Sequence, residues 1–86
     1  MIAARDAFGP WRPDIDPAER LARLRSMRAI ARLTLGPRGE TFVETLRRAE
    51  TDPGQLEPAL HQLDALAALD RRTVLASFAA LHRPAA

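Results

Sequence analysis

The side chains of this chain that are best suited to binding chemistry are arginines, and they are concentrated in one segment. Six arginines and no acidic residue lie between Arg20 and Arg38, although the net charge of the whole chain is only +2. A guanidinium group binds carboxylates and phosphates through a planar fork of N–H donors. The segment can therefore serve an acidic protein surface, the phosphates of a nucleic acid, or acidic residues of the same chain.

Residues that catalysis would need are scarce. The chain contains no cysteine, which excludes disulfides, thiolate metal sites and thiol nucleophiles. A serine triad could be drawn from Ser77, a histidine and Asp64, but no nucleophile-elbow glycines surround the serine. Glu57, His61 and Asp64 share one helix face, but a metal site normally takes ligands from a second element as well. We expect no enzyme, no catalytic residue, no cofactor and no metal.

The predicted lengths of the helices and the turn over residues 45–64 are those of a helix-turn-helix. The helix that would read the major groove carries Glu57 and Asp64 and no basic residue, so it would repel phosphates. If nucleic acid is bound, the arginine-rich segment must bind it.

The arginine-rich segment carries clear helix boundaries. Asp16 is a typical N-cap, Pro17 suits the first helical position, and Glu19 completes a capping box. Gly36 followed by Pro37 is typical of a helix C-terminus. The pattern predicts a first helix over 17–35.

This helix is predicted to be apolar on two sides. At 100° per residue, one face is formed by larger side chains, namely Leu21, Leu24, Met27, Ala31 and Leu35. A second face is formed mainly by small ones, namely Ala22, Ser26, Ala29 and Leu33. Between the faces lies a stripe of Arg25, Arg28 and Arg32, with Arg20 and Arg23 on the other side. Such a helix is expected to pack on its own domain along one face and on a partner along the other.

The remaining pattern is helical throughout, and no segment shows the alternation of a strand. Asp70 is a candidate N-cap for the last helix, whose buried face is expected to consist of Val74, Phe78 and Leu81. We predict an all-α fold, a small bundle of four helices over about 17–35, 37–50, 58–69 and 71–83, forming a single helical domain over 17–84.

Residues 1–16 are predicted to form an extended arm, because two prolines disfavour a helix there. The arm contains Trp11, the only tryptophan of the chain. The first interpretation is that the arm crosses the helices and that Trp11 covers the core. The alternative is that the arm docks on another protein.

The amino-acid composition indicates the kind of organism and the cellular compartment to expect. All thirteen basic residues are arginines, which is typical of a high-GC bacterial genome. No stretch approaches the ~20 apolar residues that a membrane-spanning helix needs, and we expect a cytoplasmic protein without a membrane partner.

The sequence therefore predicts a small non-enzymatic interaction module, an adaptor or an assembly component, whose first helix binds a protein partner or a second copy of the chain. The alternative is a nucleic-acid-binding accessory protein that contacts phosphates through the same arginines. The candidate partner-binding residues are Arg20, Arg23, Arg25, Arg28, Arg32, Ala29, Leu33 and Trp11.

Overall fold

Residues 9–82 are described by a computed structural model, and within this range the chain is helical with no strand. The α helices are α1 (Pro17–Leu35), α2 (Glu40–Ala49), α3 (Leu56–Ala65) and α4 (Ala68–His82). Two 3-10 turns, Gly36–Gly39 and Pro53–Gln55, precede α2 and α3. The predicted all-α class is confirmed.

Both predicted ends of α1 are confirmed. A carboxylate oxygen of Asp16 accepts hydrogen bonds from the backbone N–H groups of Ala18 and Glu19, at 3.0 and 3.3 Å. Pro17 occupies the first helical position, where a missing N–H is tolerated. The helix ends at Gly36, whose φ of 58° and ψ of −139° suit glycine almost alone.

The second helix begins later than predicted. Residues 36–39 form a 3-10 turn instead of the first turn of an α helix. Gly39 is packed so tightly that a Cβ atom at this position would lie 2.7 Å from the Cβ of Leu35. Because this turn is short and tightly packed against Leu35, α2 runs back alongside α1 in the opposite direction.

The third helix begins and ends earlier than predicted, at Leu56–Ala65. The fourth helix, Ala68–His82, also begins earlier than predicted, and His82 is the last described residue. Pro58 lies in the first turn of α3, where it breaks no helical hydrogen bond, so the helix starts before it. Leu66 is extended and separates the two helices. Asp70 is therefore not the N-cap of α4 but lies inside its first turn.

The core forms where α1 meets its neighbours. α1 packs against both α2 and α4, and α3 packs mainly against α2. The larger face of α1 is buried as predicted, except that Leu21 is half-buried and Ile30 joins the core. Leu81 is 66% exposed, so its predicted place on the buried face of α4 is wrong. The core cluster comprises Leu24, Met27, Ile30, Ala31, Leu35, Phe42, Leu46, Ala49, Ala59, Leu63, Val74 and Phe78.

The described part of the arm, residues 9–16, consists of turns and bends. Trp11 packs against the core cluster, and its indole Nε1 donates a hydrogen bond of 2.7 Å to the carbonyl oxygen of Leu56. The prediction that Trp11 covers the core is confirmed. Residues 1–8 of the arm, and residues 83 and 84 at the end of the predicted domain, lie outside the described residues.

Between residues 9 and 82, no helix combines the length and the apolar character that crossing a membrane would require.

Candidate functional site

The small-residue side of α1 is open to solvent. Ala22 and Ala29 are exposed, Ser26 is half-buried, and Leu33 is 87% exposed. We call these four residues the outer face of α1. The opposite side of the same helix is buried in the core, so the two predicted faces of α1 have different environments.

Two of the candidate arginines serve the fold. The guanidinium of Arg20 donates hydrogen bonds to the carbonyl oxygens of Pro10, at 2.9 Å, and of Arg12, and thereby ties the arm to α1. Arg23 pairs with Glu19 one turn earlier, with Nε 2.9 Å from the carboxylate. Only 16% of the Arg23 side chain is exposed. These contacts hold both residues away from a free surface.

Two further arginines of α1 converge on one carboxylate. Arg25 Nε and Arg28 Nη1 lie 3.2 and 3.0 Å from the two carboxylate oxygens of Glu50. The Glu50 side chain is 12% exposed, whereas that of Arg25 is 60% exposed. Glu50 caps the C-terminus of α2, so these pairs fix that end of α2 beside the middle of α1. Because one carboxylate is paired with two guanidinium groups, this cluster keeps a net positive charge.

Arg32 differs from the other arginines of α1. Its side chain is exposed, and within residues 9–82 no acidic group pairs with it. Arg38, the last arginine of the segment, instead forms a bidentate ion pair with Asp70 and so joins the 3-10 turn to α4. The Nη2 and Nε atoms of Arg38 lie 2.9 and 3.3 Å from the two carboxylate oxygens of Asp70.

An open groove of about 710 Å³ runs between the C-terminal half of α1 and α2. We call it the α1–α2 groove. Its lining includes four arginines, two from each helix, together with apolar atoms of the turn and of α2; these residues are Arg28, Arg32, Pro37, Val43, Arg47 and Arg48. Val43 is half-buried and also packs against the core, so it forms an apolar floor.

Two glutamates of α2 also line the groove. Glu44 pairs with Arg47 and lies 3.5 Å from Arg48, and the hydrogen bond from Arg47 holds its pKa below the ordinary value. Glu40 lies at the start of α2 and is exposed. With four arginines against two glutamates, the groove keeps a net positive charge.

The structure divides the predicted partner-binding residues into two groups. Arg25, Arg28, Arg32, Ala29 and Leu33 lie together on the exposed middle and C-terminal half of α1. The second group serves the fold, since Arg20 and Trp11 join the arm to the helices and Arg23 pairs with Glu19.

Arg47 and Arg48 line the groove but were not among the candidate partner-binding residues predicted from the sequence. A signal was available in the sequence. The short Gly-Pro turn at 36–37 forces the next helix back along the first, which places residues near 47 beside residues near 28. The ion pair between Arg28 and Glu50 confirms this pairing of positions.

The two histidines lie in different surroundings. His61 is exposed on α3, with Nε2 3.7 Å from Glu57. His82 packs its ring on that of Phe78, with centroids 4.4 Å apart, and its buried Nε2 has no hydrogen-bond partner among residues 9–82. Across the described residues, no three histidine, aspartate or glutamate side chains are grouped to hold a metal ion.

His82 should make stability depend on pH. Burial of the ring and the nearby charge of Arg23 lower the pKa of His82 below its ordinary value of 6.5, and Glu19 opposes this in part. The folded state therefore favours the neutral ring, and stability present above the ordinary pKa is lost as pH falls through the lowered one. We expect the thermal midpoint to fall between about pH 8 and pH 5.

Thermal melting of His82→Gln should show less of this fall, while the control His61→Gln should keep it, because His61 is exposed. An equal fall in wild type and His82→Gln would contradict the assignment.

Comparison with protein-family models, curated proteins and solved structures found no match to this chain.

Proposed function

We propose that this chain is a small non-enzymatic, cytoplasmic interaction module, a four-helix bundle whose outer α1 face binds a protein partner or a second copy of the chain. The observation that carries the proposal is the exposure of Leu33, at 87%, on a helix whose opposite face is buried. Ala22 and Ala29 are exposed on the same side.

A partner that covers the outer face would gain free energy by burying its apolar side chains. Full burial of a leucine side chain stabilises a folded or bound state by about 1.5–3 kcal/mol. Alanine and serine leave room for the side chains of another helix to approach α1 closely. Arg25 and Arg32 flank the face, and arginine is enriched at protein interfaces. An apolar strip with charged flanks therefore favours a protein as the partner.

The alternative function, binding of nucleic-acid phosphates by the same arginines, has weaker support. It would use Arg20, Arg23, Arg25, Arg28 and Arg32. Arg20 is held by backbone carbonyls, Arg23 by Glu19, and Arg25 and Arg28 by Glu50. Phosphate contact by four of the five would have to compete with these bonds. Binding through several phosphates would also weaken steeply with salt.

The test is a charge placed on the outer face. Leu33→Glu and Ala29→Glu should abolish association with the partner or with a second copy, because a carboxylate must lose its hydration when this face is buried, which opposes binding. Leu69→Glu is the matched control, since Leu69 is 71% exposed on α4. Sedimentation velocity measures self-association, co-purification of tagged protein measures partner binding, and circular dichroism checks that all variants stay helical.

Wild type and Leu69→Glu should retain the bound species that both α1 variants lose. Equal retention by Leu33→Glu would contradict the proposal.

A further inference from the structure

We propose that the α1–α2 groove binds an acidic segment of the partner protein, whose carboxylates pair with Arg32 and Arg48 while an apolar side chain rests on Val43. This inference rests on the proposed function, because the groove adjoins the outer face of α1, and it specifies the chemistry of the partner.

The charge of the groove supports an acidic ligand. Arg32 has no acidic partner among residues 9–82, and Arg48 only shares Glu44, at 3.5 Å, with Arg47. The Arg48 side chain is 61% exposed, so a carboxylate from outside can reach it. A planar guanidinium binds a carboxylate through two parallel hydrogen bonds, which gives direction as well as attraction. The two arginines come from different helices, so a segment lying between them can meet both.

The shape of the groove supports a peptide segment. A volume of about 710 Å³ holds several side chains but not a folded domain. Its floor, formed by Val43 and Pro37, is apolar, so an amphipathic segment gains burial as well as ion pairs. The required segment therefore carries two or more carboxylates around an apolar residue.

The lining favours carboxylates over a nucleic-acid backbone. Glu40 and Glu44 lie in the groove, where they would repel a continuous row of phosphates. No aromatic side chain is among the described residues that line it, so stacking of unpaired bases has no platform there. A peptide can place its acidic residues away from the two glutamates.

The arginines beside the outer face also disfavour a symmetric pairing of two copies through α1. Arg25 and Arg32 flank the outer face and would approach the same residues of the second copy. Like charges at such positions oppose association. An acidic segment of a different protein removes this conflict.

The experiment uses the full chain labelled with ¹⁵N and titrated with a short synthetic peptide rich in Glu and Leu. We expect it to shift the backbone amide resonances of Arg32, Val43 and Arg48. A matched peptide with Gln in place of Glu should leave these resonances unchanged. A higher salt concentration should weaken binding of the acidic peptide, because exposed charges are screened.

Variants then test the two arginines. Arg32→Gln and Arg48→Gln should each weaken peptide binding about two- to fivefold, as expected for exposed ion pairs. Arg72→Gln is the matched control, because Arg72 is exposed on α4 and no described residue pairs with it. Equal effects of all three variants, or groove resonances that do not move, would overturn the proposal.

Three further outcomes would also overturn it. Tighter binding of an oligothymidylate of equal charge at the same resonances would assign the groove to nucleic acid. Concentration-dependent shifts of the groove without any peptide would assign it to a second copy. If the peptide shifted only the resonances of Ala29 and Leu33, the groove proposal would be wrong but the proposed function would stand. If Leu33→Glu did not reduce association, the proposed function itself would be wrong.

Discussion

Replacement of Phe78 by alanine is expected to lower the free energy of unfolding by about 3–5 kcal/mol. Phe78 is 1% exposed and lies in the core cluster on α4, the helix that packs against α1. The substitution removes a large apolar side chain and leaves a cavity between the helices. Since a domain of this size has a typical stability of only about 5–15 kcal/mol, this loss is a large fraction of the total stability.

Two comparisons isolate the cause. Phe78→Leu keeps most of the volume and should cost clearly less than the alanine variant. Leu81→Ala removes an apolar side chain that is 66% exposed on the same helix and should change stability by less than about 0.5 kcal/mol. Urea unfolding followed by circular dichroism measures all three. A similar loss in Leu81→Ala and Phe78→Ala would show that α4 packs through a different face.

Replacement of Leu24 by alanine is expected to cost about 2–5 kcal/mol. Leu24 is 1% exposed in the middle of the larger face of α1 and belongs to the core cluster. The surrounding side chains come from helices that are held in place elsewhere, so the cavity can collapse only in part.

The matched variant is Leu33→Ala on the outer face of the same helix. Leu33 is 87% exposed, so its truncation should change the stability of the isolated chain by less than about 0.5 kcal/mol. The two variants remove the same atoms from the same helix, and alanine favours the helix in both cases. Comparable losses measured by urea unfolding would contradict the separation of α1 into a core face and a free face.

Local features of the fold could be predicted from the sequence because their causes are local. Asp16, Pro17 and Gly36 fix the two ends of α1 through capping and backbone conformation. The burial of Leu24, Met27 and Leu35 follows from helical periodicity alone.

Features that depend on contacts between helices could not be predicted in the same way. The early start of α4 depends on an extended residue at Leu66, and Asp70 pairs with Arg38, thirty-two residues away, instead of capping the helix. Leu81 follows Val74 and Phe78 at helical spacing but is exposed, which periodicity alone does not reveal.

Of the candidate site, the outer face of α1 could be predicted from the sequence, whereas the α1–α2 groove could not. The outer face of α1 follows from the pattern of one helix, and its exposure agrees with the expectation of a face not covered by the chain. The α1–α2 groove needs the two helices to be paired in register, which the sequence indicates only through the tight turn at Gly36 and Pro37.

Binding of a protein partner to the outer face of α1 can be tested by photo-crosslinking inside living cells. A photoreactive amino acid is placed at Leu33 in one variant and at Leu69 in another, since both sites are exposed. We expect a discrete crosslinked protein species from position 33 and none from position 69. No adduct at position 33, or the same adducts at both positions, would contradict it.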